Sequence, residues 1–121
     1  MGLTHVTTRV NNLAGDGTPY EADFLVDTGA VDCLGPTGSL QAAGYPAGGQ
    51  GRGRTGEPVE YEYGFARVAL LGQETVVQII FGPDNAEPIL GVVALENMGV
   101  TIDPVTRTLR RLHAKPLKQL R

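Results

Sequence analysis

Apolar and polar residues alternate along several stretches of the chain, the two-residue period of a half-buried strand. From Glu21 to Asp27 the alternation sets Ala22, Phe24 and Val26 on one face and Glu21, Asp23, Leu25 and Asp27 on the other, because successive side chains leave a strand on opposite sides. Before it, residues 4 to 10 (THVTTRV) favour a strand and residues 11 to 20 (NNLAGDGTPY) are dense in turn formers. Residues 59 to 71 (VEYEYGFARVALL) and 75 to 81 (TVVQIIF) read as a long strand and its partner, with Gly72 and Gln73 turning the chain between them.

Two segments carry helical signals. In residues 36 to 45 (PTGSLQAAGY), Pro36 and Thr37 can open a helix, Leu40, Ala42 and Ala43 favour it, and Gly44 followed by Pro46 ends it. Val92, Leu95 and Met98 recur at helical spacing, with Gly99 placed as a C-terminal stop. The glycine-rich residues 46 to 58 (PAGGQGRGRTGEP) suggest the first arm and tip of a hairpin, and residues 100 to 112 (VTIDPVTRTLRRL) a strand, an Asp-Pro turn and a strand. The pattern is mainly β with one or two short helices.

Composition bounds what this architecture does. At 121 residues the chain suits one domain able to bury a core without staples, with the core expected at about residues 4 to 112 and a basic tail at 113 to 121. Glycine occurs 17 times, roughly twice its usual share, as befits a turn-rich chain. The single cysteine, Cys33, has no partner for an internal disulfide, and neither a signal-peptide pattern nor a membrane-length apolar run is apparent, so a cytoplasmic location without membrane association is expected.

Net charge is −3, unevenly spread: Val105 to Arg121 holds six basic and no acidic residues, while the rest carries −9. That tail lacks aromatics for base stacking and belongs to an acidic protein, so no nucleic-acid partner is expected. Gly51 to Gly56 (GRGRTG) matches a dinucleotide-binding spacing on paper, but it is not set between a strand and a helix, which that chemistry requires. Nothing places His5 or His113 beside Cys33 as a base for a nucleophile, and a buried cysteine is the commoner case. No metal-ligand spacing is present, and neither a metal nor a cofactor is expected.

The remaining signal is an apolar strand that ends on a carboxylate, residues 24 to 30 (FLVDTGA), paired with residues 88 to 91 (PILG) ahead of a short helix and a GVTIDP segment. An isolated Asp-Thr-Gly is usually only a turn. Together, these motifs resemble the retropepsin-like (retroviral-type) aspartic proteases, closest to their small bacterial members, over about Thr4 to Leu112. The resemblance implies a retropepsin-like acid-protease barrel with a flap hairpin. It also implies that Asp27 is catalytic, that Thr28, Gly29 and Ala30 support the catalytic loop, and that Ile89, Leu90 and Gly91 pack beneath it. Gly29 would contact substrate together with a flap tip at Thr55, Gly56 and Glu57.

In that family two aspartates share one proton, since two carboxylates so close cannot both ionise, and the pair activates a water against an extended peptide. The 121 residues hold no second Asp-Thr-Gly or Asp-Ser-Gly, so the resemblance implies a homodimer with one Asp27 from each chain. Leu25, Val31, Ile80 and Ile89 are the expected cleft residues. The alternatives are a dimeric peptide-binding module on the same fold that hydrolyses nothing, and a structural domain whose Asp-Thr-Gly is a turn.

Overall fold

A computed structural model describes residues 4–45, 51–54 and 60–112. Within them, nine strands and two helices follow in the order β1 (His5–Asn11), β2 (Tyr20–Val26), β3 (Cys33–Pro36), α1 (Thr37–Ala42), β4 (Gly51–Arg54), β5 (Glu60–Leu70), β6 (Gln73–Gly82), β7 (Ile89–Leu90), α2 (Val92–Met98), β8 (Val100–Asp103) and β9 (Thr108–Arg111). The expected mainly β architecture holds. Two strands were not expected: β3 and β7 are too short, at four and two residues, for a period to show.

Six strands close into a barrel. Their order is β1-β2-β7-β3-β6-β5, and a β1–β5 pairing joins the ends, leaving β4 attached outside on β5. Most neighbours run antiparallel, but β2–β7 and β3–β6 are parallel. Closure removes the free edges that an open sheet would expose. The hairpin β8–β9 forms a separate two-stranded sheet. Its turn is fastened by the Asp103 carboxylate, which accepts the N–H groups of Val105 and Thr106 at 2.9 and 3.2 Å. The Thr106 and Val105 bonds hold this exposed carboxyl below its ordinary range.

The barrel interior takes the apolar face of each strand: Val10 from β1, Phe24 and Val26 from β2, Cys33 from β3, Ala66 and Val68 from β5, Val77, Ile79 and Phe81 from β6, and Leu90 from β7. Each fully buried Leu or Phe contributes about 1.5–3 kcal/mol relative to exposure. Tyr45 plugs the barrel beside Phe81, the two rings meeting edge-on at 5.6 Å. Its hydroxyl lies 2.7 Å from the Phe65 carbonyl and 3.2 Å from that of Asn11, and burial pushes its pKa up to about 12. Helix α2 buries Ala94, Leu95 and Met98 and ends at Gly99, whose φ of 66° is left-handed, a conformation that glycine adopts without a Cβ penalty.

Candidate active site

Strand β2 enters the barrel antiparallel to β1 and parallel to β7, and the Asp27 carboxylate emerges at its end. Backbone bonds fix that end from both sides: Val26 N–H donates to the Thr4 carbonyl at 2.8 Å, Leu25 N–H to Pro88 at 2.9 Å, and Asp27 N–H to Leu90 at 3.1 Å. The chain then turns tightly, with Ala30 N–H bonded to the Asp27 carbonyl at 3.1 Å. Inside the turn the Asp27 carboxylate accepts the Gly29 N–H at 2.9 Å. Such an Asx bond orients the side chain.

The loop is held equally firmly where it leaves. Val92 and Val93, the first residues of α2, donate to the carbonyls of Ala30 and Val31 at 2.8 and 3.3 Å. Gly91 lies between these anchors against the loop backbone: a Cβ there would stand 2.5 Å from the Asp32 oxygen and 2.6 Å from the Val31 oxygen. Only glycine permits that approach. Ile89, Leu90 and Gly91 thus sit directly alongside the loop, Leu90 wholly buried, while Asp27 is partly buried and Thr28 and Gly29 are exposed. A Cβ on Gly29 would come within 3.2 Å of the Asp27 Oδ1, crowding the carboxylate.

Strand register aligns the side chains that flank Asp27. Leu25 pairs with Ile89, Ile89 with Leu34, Leu34 with Ile80 and Ile80 with Tyr63, while His5 pairs with Leu25 at the other end. The sequence neighbours Val26, Leu90, Cys33 and Ile79 fill the core, so alternation turns Leu25, Ile89, Leu34 and Ile80 to the outer face of the barrel. All four are partly buried. They make an apolar row across four strands, and Asp27 stands two residues beyond Leu25. Asp32, two residues before Leu34, accepts a bond from Gln78 Nε2 at 3.2 Å.

Of the cleft residues expected from sequence, Leu25, Ile80 and Ile89 share this row, whereas Val31 sits on the loop, 62% exposed. Leu34 completes the row; the sequence signal for it was its alternation with Cys33, hidden by the brevity of β3. Thr55, Gly56 and Glu57, the expected flap tip, lie outside the described residues. Beside the loop, burial pushes the Cys33 thiol up to about 11, a Gly91 backbone bond opposing this and the Asp32 charge adding to it. A thiol so protonated is not a nucleophile.

Other parts of the surface offer no comparable chemistry among the described residues. A hollow of about 340 Å³ lined by Thr7, Arg9, Glu21, Leu70, Gln73 and Glu74 lies off the Asp27 loop, and its Arg9 and Glu21 already approach each other at 3.8 Å. Among the described residues, no group of three His, Cys, Asp or Glu side chains is placed to hold a metal ion, and no helix is long and apolar enough to cross a membrane.

No protein-family profile and no curated protein sequence matches the chain. Solved structures do. A retropepsin-like aspartic protease from Rickettsia conorii is similar with 22% identity and a TM-score of 0.62, covering 84% of this chain and 77% of that one. The retroviral protease-like domain of Ddi1 from Leishmania major is 16% identical with a TM-score of 0.63, covering 94% and 91%. The EIAV protease, solved with the inhibitor HBY-793, is 20% identical with a TM-score of 0.55, covering 84% and 93%. Identities this low speak for the backbone alone, and by its backbone the chain has the retropepsin-like fold.

Proposed function

We propose that this protein is an aspartic endopeptidase whose site is completed by a second copy of the chain, with Asp27 opposite Asp27 of the partner subunit. One observation carries the reading. The Asp27 backbone N–H is tied to the Leu90 carbonyl at a strand end and its partly exposed carboxylate accepts the Gly29 N–H, on a fold whose similar solved structures are described as aspartic proteases or protease-like domains. In the same reading we take residues 1–121 as one domain, with its core at about residues 4–112.

The chemistry follows from the pairing. Two carboxylates in contact cannot both ionise, so the dyad holds one proton between them and titrates as a unit. The ionised member takes a proton from a water lodged between them while that water attacks the scissile carbonyl carbon. The protonated member gives its proton to the carbonyl oxygen, forming a neutral gem-diol. Collapse of the gem-diol returns a proton to the dyad, breaks the C–N bond and protonates the departing amine. No covalent enzyme intermediate forms.

Thr28, exposed at the tip of the turn, would meet the partner's loop. Gly29 keeps a Cβ away from both carboxylate and substrate, Ala30 holds the turn through its bonds to Asp27 and Val92, and Ile89, Leu90 and Gly91 brace the loop. The apolar row Leu25, Ile89, Leu34 and Ile80 offers a floor for an extended peptide with apolar side chains.

Cleavage of a mixed peptide library by the parent protein, beside Asp27→Asn, tests this reading. Cuts made only by the parent support it. Equal cutting by both proteins refutes it, and peptide binding with no cutting by a dimeric parent replaces it with a peptide-binding module.

A further inference from the structure

One end of the apolar row is closed by charge. His5 Nε2 lies 2.7 Å from Glu87 Oε2, and the two side chains remain 40% and 51% exposed. His5 stands on β1 and Glu87 in the segment leading into β7, whereas β2 runs between those strands. The contact therefore spans β2 at the level of Leu25, the residue paired with His5 on one side and with Ile89 on the other.

The same end carries further negative charge. Asp23 lies two residues before Leu25 on the same face of β2 and accepts the Thr7 hydroxyl at 2.8 Å. Farther along, Arg9 is engaged by Glu21 at 3.8 Å. His5 is thus the side chain set against Glu87, and an exposed pair of this kind contributes little to stability. A cation arriving from solvent can take the place of the imidazole on the carboxylate without dismantling any packed structure.

We infer that Glu87 is a specificity-determining residue that accepts a lysine or arginine side chain of the bound peptide at the β1 end of the row, with His5 as its resident partner when no substrate is bound. The inference rests on the proposed peptidase reading and names its substrate class: peptides with apolar residues around the cleaved bond and a basic residue on either side, because the twofold of the proposed dimer sets one Glu87 on each side of that bond. A flexible ammonium or guanidinium reaches such a rim carboxylate while its methylene stem lies over Leu25.

The test uses peptides with an apolar pair at their centre and Lys, Ala or Glu at each flanking position in turn. Binding to full-length Asp27→Asn protein is read by fluorescence anisotropy at pH 7, and cleavage by the parent is measured in parallel. At the two flanking positions that the twofold relates, Lys should bind about fivefold more tightly than Ala, the ratio an exposed charge contact of this kind yields. The ratio should vanish in Asp27→Asn protein that also carries Glu87→Gln and widen in one that carries His5→Gln.

Lys no better than Ala at every position, a Lys preference that survives Glu87→Gln, or a preference for Glu would overturn the inference. If peptides are bound and cut with no charge preference, this inference alone fails. If none is bound or cut, the proposed function fails and this inference with it.

Discussion

Replacing Gly91 by alanine probes the support of the Asp27 loop at its tightest point. The added Cβ would meet the Asp32 oxygen at 2.5 Å and the Val31 oxygen at 2.6 Å, where ordinary contact begins at 3.4 Å, so loop and strand must part by about 0.9 Å. Both obstacles are backbone, and no side chain can rotate away. Overpacking of this kind costs about 1–3 kcal/mol, and a backbone clash belongs at the upper end. Against it, alanine restricts the unfolded chain and returns up to about 1 kcal/mol.

The net loss is about 2 kcal/mol. With an unfolding entropy of about 2.1 cal/mol/K per residue over 121 residues, each kcal/mol lowers Tm by about 4 °C, so Gly91→Ala should melt about 8 °C below the parent in a reversible calorimetric scan. The same displacement acts on the loop that holds Asp27, and misplacement of a reacting group by about 1 Å can cost roughly a hundredfold in rate. Peptide cleavage should therefore fall by more than the unfolded fraction explains. A Tm within about 2 °C of the parent, a margin of about half a kcal/mol, would refute the close approach as the reason for glycine.

Four further outcomes are expected. Gly99→Ala meets no atom within 4 Å but keeps a φ of 66°, so it should lose only the left-handed penalty of about 1 kcal/mol in urea unfolding; a loss as large as that of Gly91→Ala would contradict the distinction. Tyr45→Phe removes the part-buried hydroxyl that lies 2.7 Å from the Phe65 carbonyl and 3.2 Å from that of Asn11 and should cost about 1 kcal/mol in the same assay; an unchanged midpoint would show the hydroxyl to be dispensable. Cys33, 1% exposed, should resist a thiol reagent in the native protein and react fully in denaturant, whereas rapid native labelling would place it outside the core. Folding favours the neutral forms of Cys33 and Tyr45, raised from 9.0 to about 11 and from 10.0 to about 12. Unfolded chains release those protons first, so stability should be intact below about pH 9 and fall as pH rises towards 12; a flat profile across that window would count against the burial of both groups.

What could be read from the sequence divides along physical lines. The strand ending in Asp27 was legible because its alternation is local, and α2 because three apolar residues and a glycine stop fit one turn-by-turn pattern. By contrast, β3 and β7 exist through pairing with residues far along the chain, Cys33 with Ile79 and Ile89 with both Leu25 and Leu34. No window of sequence contains that information. For the same reason the row through Leu34 appears only once register is known. The role of Gly91 was legible as a motif, but its cause, the backbone of Val31 and Asp32 on the other side, was not. His5 and Glu87, 82 residues apart, carried no mark of their contact.

A working site that draws one Asp27 from each of two chains must lose activity when parent protein is mixed with Asp27→Asn protein. The two are dissociated together, reassembled at one part parent to nine parts variant, and assayed on a cleavable peptide at fixed parent concentration. Random pairing leaves only about a tenth of the parent chains facing another parent chain, so activity should fall to about a tenth of the unmixed value. Activity unchanged by the ninefold excess, with exchange of subunits verified by mass, would contradict a site built from two chains.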